Sequence, residues 1–188
     1  MDTNLTLHVA TQCAPVLLGL KMSNILITHP DNRDEVTELF RETKFSVSML
    51  VENQERVIFL VYQEEWLEEY VRREENAGFL AEMGYIEGDL EEQIQYMAGN
   101  YAGFLAGTME FPHEMGIFLG YPLEDVRGFM IHEGKNYLYS GYWKVYQNVE
   151  QAKAIFAGYD SARRWLCELV KKGVFMARKE DLKWIESM

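Results

Sequence analysis

Three stretches of the chain hold side chains able to do chemistry. The first is Cys13-Ala14-Pro15. Pro15 suits the first position of a helix, which would put Cys13 at the helix mouth, where free N–H groups and the dipole stabilise a thiolate. With His113 or His8 as base, Cys13 would then be a nucleophile. The competing reading is that Cys13 packs as a small hydrophobe, since no cysteine-enzyme signature surrounds it. The second stretch is Phe111-Pro112-His113-Glu114-Met115-Gly116, running on to Gly120-Tyr121-Pro122. His113 and Glu114 would project from a first helical turn as acid, base or ligand. Gly116 and Gly120 permit close approach by a ligand or a helix. Alternatively Glu114 caps, His113 bonds a loop and the glycines pack. The third stretch is Tyr137 to Tyr146. Gly141 leaves space beside a strand, and Lys144 between Tyr142 and Tyr146 can hold an anionic group or simply extend its stem along the surface. Tyr121 and Trp143 add aromatic walls to the same set.

Other chemistries lack their spacing. The four histidines (His8, His29, His113, His132) form no HxxxH or HExxH, and Cys13 and Cys167 form no CxxC. No metal site is expected. GxxxxGK[ST], GxGxxG and GxSxG are absent, which excludes a P-loop, a dinucleotide fingerprint and an α/β-hydrolase elbow. The cofactor is unassigned.

Elements that would position these residues follow from pattern and caps. Residues 3–20 read as helical in two pieces, the second starting at Pro15. Strands are predicted near 24–28, 45–51, 56–62 and 137–146, with 45–62 as a hairpin across Glu52 to Glu55. Asp31 or Asn32 can cap a helix carrying Val36, Leu39 and Phe40 on one face. Helices are predicted over 64–76 and over 89–106, the latter capped by Asp89. Two short helices broken at Gly120-Tyr121 come next, then a long helix over 149–172 closed by Gly173, and a last one over 179–187. Helices and strands come in blocks, so the expectation is α+β: one domain over 1–188, a small, mostly antiparallel sheet packed with several helices.

The chain has 188 residues, 48% of them hydrophobic, and a formal net charge of −12. It is too apolar for a disordered chain and long enough for one sizeable core. Residues 63–92 hold eleven acids and two bases, so −9 of the −12 lies there, while residues 163–183 are net +4. The acidic segment reads as a solvated helical face, or as a docking surface for a basic partner; pairing of acidic with basic helices would make a homodimer. Net acidity argues against a nucleic-acid or anionic-membrane partner. The longest early apolar run is Cys13 to Leu20, far short of the ~20 residues of a membrane span. No basic leader precedes it, so a reducing cytoplasm is expected.

Cys13-Ala14-Pro15 through Gly19-Leu20-Lys21, the stretch Phe111 to Val126, and Gly141-Tyr142-Trp143-Lys144-Val145-Tyr146 together resemble one bacterial domain-of-unknown-function family (number 3793), mainly from anaerobic Firmicutes. The resemblance implies a single-domain cytoplasmic bacterial protein and supplies no catalytic residues. From the residues themselves the leading expectation is small-molecule or cofactor binding, with a ligand that can be anionic. The pocket would lie between the N-terminal helix, the 111–122 loop and the 137–146 strand, using Lys21, His113, Glu114, Tyr121, Tyr142, Trp143 and Lys144. The alternatives are a thiol or acid–base enzyme using Cys13, His113 and Glu114, and an interaction module using the acidic 63–92 face. Whether a reaction is catalysed stays open.

Overall fold

The computed structural model describes residues 3–187 apart from Glu87 and Met176. The fold is α+β. The chain divides into two compact units, one of residues 1–64 with 159–188 and one of residues 65–158. A single domain over 1–188 is the expectation from chain length.

The first unit is built on three antiparallel strands, β1 (Ser23–Thr28), β2 (Ser46–Glu52) and β3 (Val57–Tyr62), in the order β1-β3-β2. All six residues of the apolar run Val57-Ile58-Phe59-Leu60-Val61-Tyr62 are buried, as a central strand covered on both faces requires. The predicted hairpin is present. Its turn is held by the Asn53 side chain, whose Oδ1 accepts from the Glu55 and Arg56 amides at 2.9 and 3.0 Å. β2 carries a bulge between Met49 and Val51.

Helix α1 (Thr3–Leu17) lays Leu5, Val9, Cys13 and Leu17 on the core as one stripe. It is one helix, not two, and Pro15 lies inside its last turn rather than at a start. The amide that Pro15 lacks falls beside the helix end, and Gly19 closes that end. Gly19, at φ +67, donates to the Val16 carbonyl, and Leu20 donates to the Pro15 carbonyl at 2.8 Å. The Gln12 side chain both donates to the Ile27 carbonyl at 3.0 Å and accepts from the Ile27 amide at 2.9 Å, along the outer edge of β1.

Helix α2 (Arg33–Phe40) buries Val36, Leu39 and Phe40 as predicted. It is preceded by a 3-10 turn at Pro30–Asn32, and Asn32 supplies no side-chain cap; its amide donates to Thr28 instead, at 2.8 Å.

The predicted 64–76 helix is two, α3 (Glu64–Val71) and α4 (Glu74–Glu82), and the second unit begins at residue 65. Buried Asn76 explains the break, because its side-chain amide donates to the Tyr70 carbonyl at 2.8 Å. Helix α5 (Leu90–Leu105) starts on the predicted Asp89, in a capping box with Glu92. Helices α6 (Met115–Phe118) and α7 (Leu123–Ile131) flank Gly120, which adopts φ +72.

The single strand expected over 137–146 is corrected to two short ones. Only β4 (Tyr139–Ser140) and β5 (Lys144–Val145) are extended, and they pair with each other as a small hairpin. Alternation in Tyr139-Ser140-Gly141-Tyr142-Trp143 suggested continuity, but residues 141–143 form the turn. The long helix α8 (Val149–Lys171) follows; its residues to 158 belong to the second unit and the rest to the first. Gly173 closes it at φ +67, and α9 (Lys179–Glu186) ends the described chain. Among the described residues no helix is long and apolar enough to cross a membrane.

Candidate functional site

The centre of the second unit's site is a carboxylate. Asp125 falls in the first turn of α7 and is only 4% exposed. Its oxygens accept from the Trp143 indole Nε1 at 2.7 Å, the Tyr146 amide at 2.7 Å and the Gln147 amide at 3.2 Å. One buried charge therefore ties the hairpin and its exit to α7, and the three donors offset its desolvation. Two glycines let the elements approach. A Cβ on Gly128 would lie 2.5 Å from the Tyr146 ring, and one on Gly141 would lie 2.3 Å from Phe156 of α8.

Over this scaffold lies a cavity of about 410 Å³. Its walls are Phe111, Tyr121, Phe129, Tyr142 and Trp143, with Met115, Leu119 and Val126 behind, and its polar lining includes His113, Asp125, Ser140 and Lys144. Trp143 is packed against Tyr121 at 5.0 Å and meets Phe156 edge-on at 4.5 Å. Burial pushes the Tyr121 phenol up to about 12, so it is a neutral wall at any physiological pH. The His113 ring lies between Phe111 and Phe129, at 5.3 and 5.2 Å.

Lys144 donates to the Gly134 carbonyl at 2.6 Å, and its ammonium stands 5.4 Å from the Phe129 ring centre and 5.0 Å from that of Tyr137. A second cavity of about 370 Å³, lined by polar side chains such as Arg73, Glu75, Glu124 and Gln151, shares Asp125 and Trp143 with the first.

Five of the sequence candidates thus meet in one cavity: His113, Tyr121, Tyr142, Trp143 and Lys144. Glu114 is not among its lining residues. It is buried, and its Oε1 accepts from the Tyr85 hydroxyl at 3.2 Å and the Asn100 amide at 3.3 Å. Burial, and then the neighbouring Glu114 charge, push the Tyr85 phenol upward. Asp125, Phe129 and Phe156 were missed. An Asp in a first helical turn reads as a dipole partner, and nothing local says that a tryptophan eighteen residues on donates to it.

Cys13 and Lys21 lie in the first unit. Cys13 is not at a helix mouth: it sits in the body of α1 near its C-terminal end, fully buried among core side chains. Burial pushes its thiol up to about 12 despite nearby Lys21. Lys21 is 4% exposed and donates to Asn24 at 2.5 Å; burial lowers it to about 7. In the native protein at pH 8, a thiol reagent is expected to modify partly exposed Cys167 while Cys13 stays at least ~100-fold slower than in the unfolded chain, because it waits on opening of the core. Prompt stoichiometric labelling of native Cys13, read by peptide mass spectrometry, would contradict this. Among the described residues no group of three or more His, Cys, Asp or Glu could hold a metal ion.

The profile of the family described as Protein of unknown function (DUF3793) matches residues 9–178, and the chain belongs to that family. Comparison with curated proteins and with solved structures gives no match.

Proposed function

We propose that this member of the DUF3793 family binds a small, flat, largely apolar molecule in the aromatic cavity of its second unit. One observation carries the reading. Segments 111–129 and 140–144 bring the rings of Phe111, Tyr121, Phe129, Tyr142 and Trp143, together with His113 and Lys144, around about 410 Å³. Ligand cavities have roughly this character: ~300–1,000 Å³, apolar walls and a few placed polar groups. The glycines at 128 and 141 and the Asp125 anchor hold the walls in place, and Asp125 spends its oxygens on the hairpin and its exit.

A neutral fluorescent probe, N-phenyl-1-naphthylamine, tests it. The expected result is saturable one-to-one binding that Phe111→Ala weakens roughly fivefold or more, since stacking on one ring contributes ~1 kcal/mol. Phe111 is 40% exposed, so the unfolding midpoint should hardly move. Absence of saturable binding at any accessible probe concentration would sink the proposal. The thiol-enzyme alternative gains less support, because Cys13 is fully buried and its thiol is held protonated. On the acidic 63–92 segment, Glu68 and Glu69 pair with Arg72 and Arg73 one turn on, as a solvated helical face does.

A further inference from the structure

We infer that the molecule bound in this cavity carries an anionic group (a carboxylate, sulfonate or phosphate) on its flat body, and that Lys144 receives it; the inference rests on the small-molecule reading above. The first observation is a cation without a counter-charge. In a chain of net charge −12, Lys144 has no carboxylate within 4 Å among the described residues. An ammonium has three donors, and one of these is used, on the Gly134 carbonyl.

The second observation is that the ammonium sits in a built seat. Gly134 adopts φ +69, and a Cβ there would come 2.9 Å from the Phe129 ring and 3.1 Å from the Lys144 nitrogen. Phe129 and Tyr137 flank the cation with ring carbons, which attract it without neutralising it.

The third observation is that the other charge in the lining is already spent. Asp125 receives three donors from the hairpin side, so it does not serve Lys144. His113, across the Phe129 ring, adds an imidazole with no side-chain hydrogen bond among the described residues. A neutral guest would strip water from the ammonium and return nothing. An anionic guest replaces that water with a charge-assisted bond in an apolar surround, where such bonds are strongest.

Two dyes with one skeleton separate the cases. N-phenyl-1-naphthylamine is neutral, and 8-anilino-1-naphthalenesulfonate is the same body with a sulfonate. The wild-type chain is expected to bind the sulfonate at least ~tenfold tighter, the scale of one hydrogen bond to a charged group. That preference should shrink as salt rises. Lys144→Met should lose the preference, its affinities for the two dyes converging, and Lys144→Arg should keep part of it. If Lys144→Met binds neither dye, Lys144→Gln against Lys144→Arg makes the same comparison. Equal affinity for both dyes in the wild type overturns the inference, as does a preference that survives loss of the Lys144 charge. Failure of the wild type to bind the neutral dye overturns instead the small-molecule reading on which it rests.

Discussion

Asp125→Ala is expected to lower the unfolding free energy by about 3–5 kcal/mol, the range for breaking a buried hydrogen-bonded network. The carboxylate is 4% exposed and is the partner of one indole N–H and two backbone amides. Removing it leaves three donors in a part-buried place, each costing ~1–3 kcal/mol, with water entering the vacated space to recover some of that. Asp125→Asn keeps the shape and one accepting oxygen, but turns an NH2 towards donors, so about 2 kcal/mol is expected from it. Urea titration followed by tryptophan emission reads both, because Trp143 loses the Asp125 acceptor and a buried setting together. A loss under ~1 kcal/mol for Asp125→Ala would mean that apolar packing alone holds the hairpin to α7. The same variant should also lose dye binding, since the residue lines the cavity.

The second large effect is a dependence of stability on pH that comes from the core of the first unit. Lys21 has a folded pKa lowered by burial to about 7, against 10.5 when free. Between these values the unfolded chain binds a proton that the folded chain does not, so stability rises with pH. Cys13 works oppositely. Its thiol is raised by burial from 9.0 to about 12, so in that window the folded chain holds the extra proton and stability falls as pH rises.

The sum is a rise of about 2 kcal/mol from pH 7 to 9, near balance up to about 10.5, and a fall above, at roughly 1.4 kcal/mol per pH unit per proton. Lys21→Met should abolish the rise from pH 7 to 9 and leave a slight decline due to Cys13. It should also stabilise the chain below pH 7, where the wild type buries a charge. A flat wild-type profile from pH 7 to 9, measured by urea midpoints, would show that Lys21 keeps its charge comfortably inside the fold.

Local signals in the sequence carried over well. Asp89 three residues before Glu92, Gly173 after a long amphipathic run, and the β-rich blocks around Asn53 all became what their chemistry dictates. Each depends on neighbours a few residues away. What was not legible depended on tertiary contacts. Pro15 reads as a helix start because its missing amide is harmless there, yet the core packing of Cys13, Ala14, Val16 and Leu17 carries the helix through it. Residues 137–146 read as one strand because alternation is blind to a turn at Gly141. The grouping of His113 with Trp143 and Lys144 was legible as residue types. Its anchor was not, since Asp125 is chemically indistinguishable from an exposed helix-start acid until Trp143 is seen donating to it.

The hold of Gln12 on Ile27 has a consequence for how the chain keeps to itself. A three-stranded sheet has two outer strands, and each is a template on which another chain can crystallise into a fibre. On the β1 side, Gln12 presents an amide that copies a strand's own donor–acceptor pair, completing the hydrogen-bonding valence at Ile27 from within the molecule. On the β2 side no such mimic is needed at Leu50, because the extra residue there throws an incoming strand out of step. The two rims of the sheet are thus guarded against polymerisation by different means, one by saturation and one by mismatch.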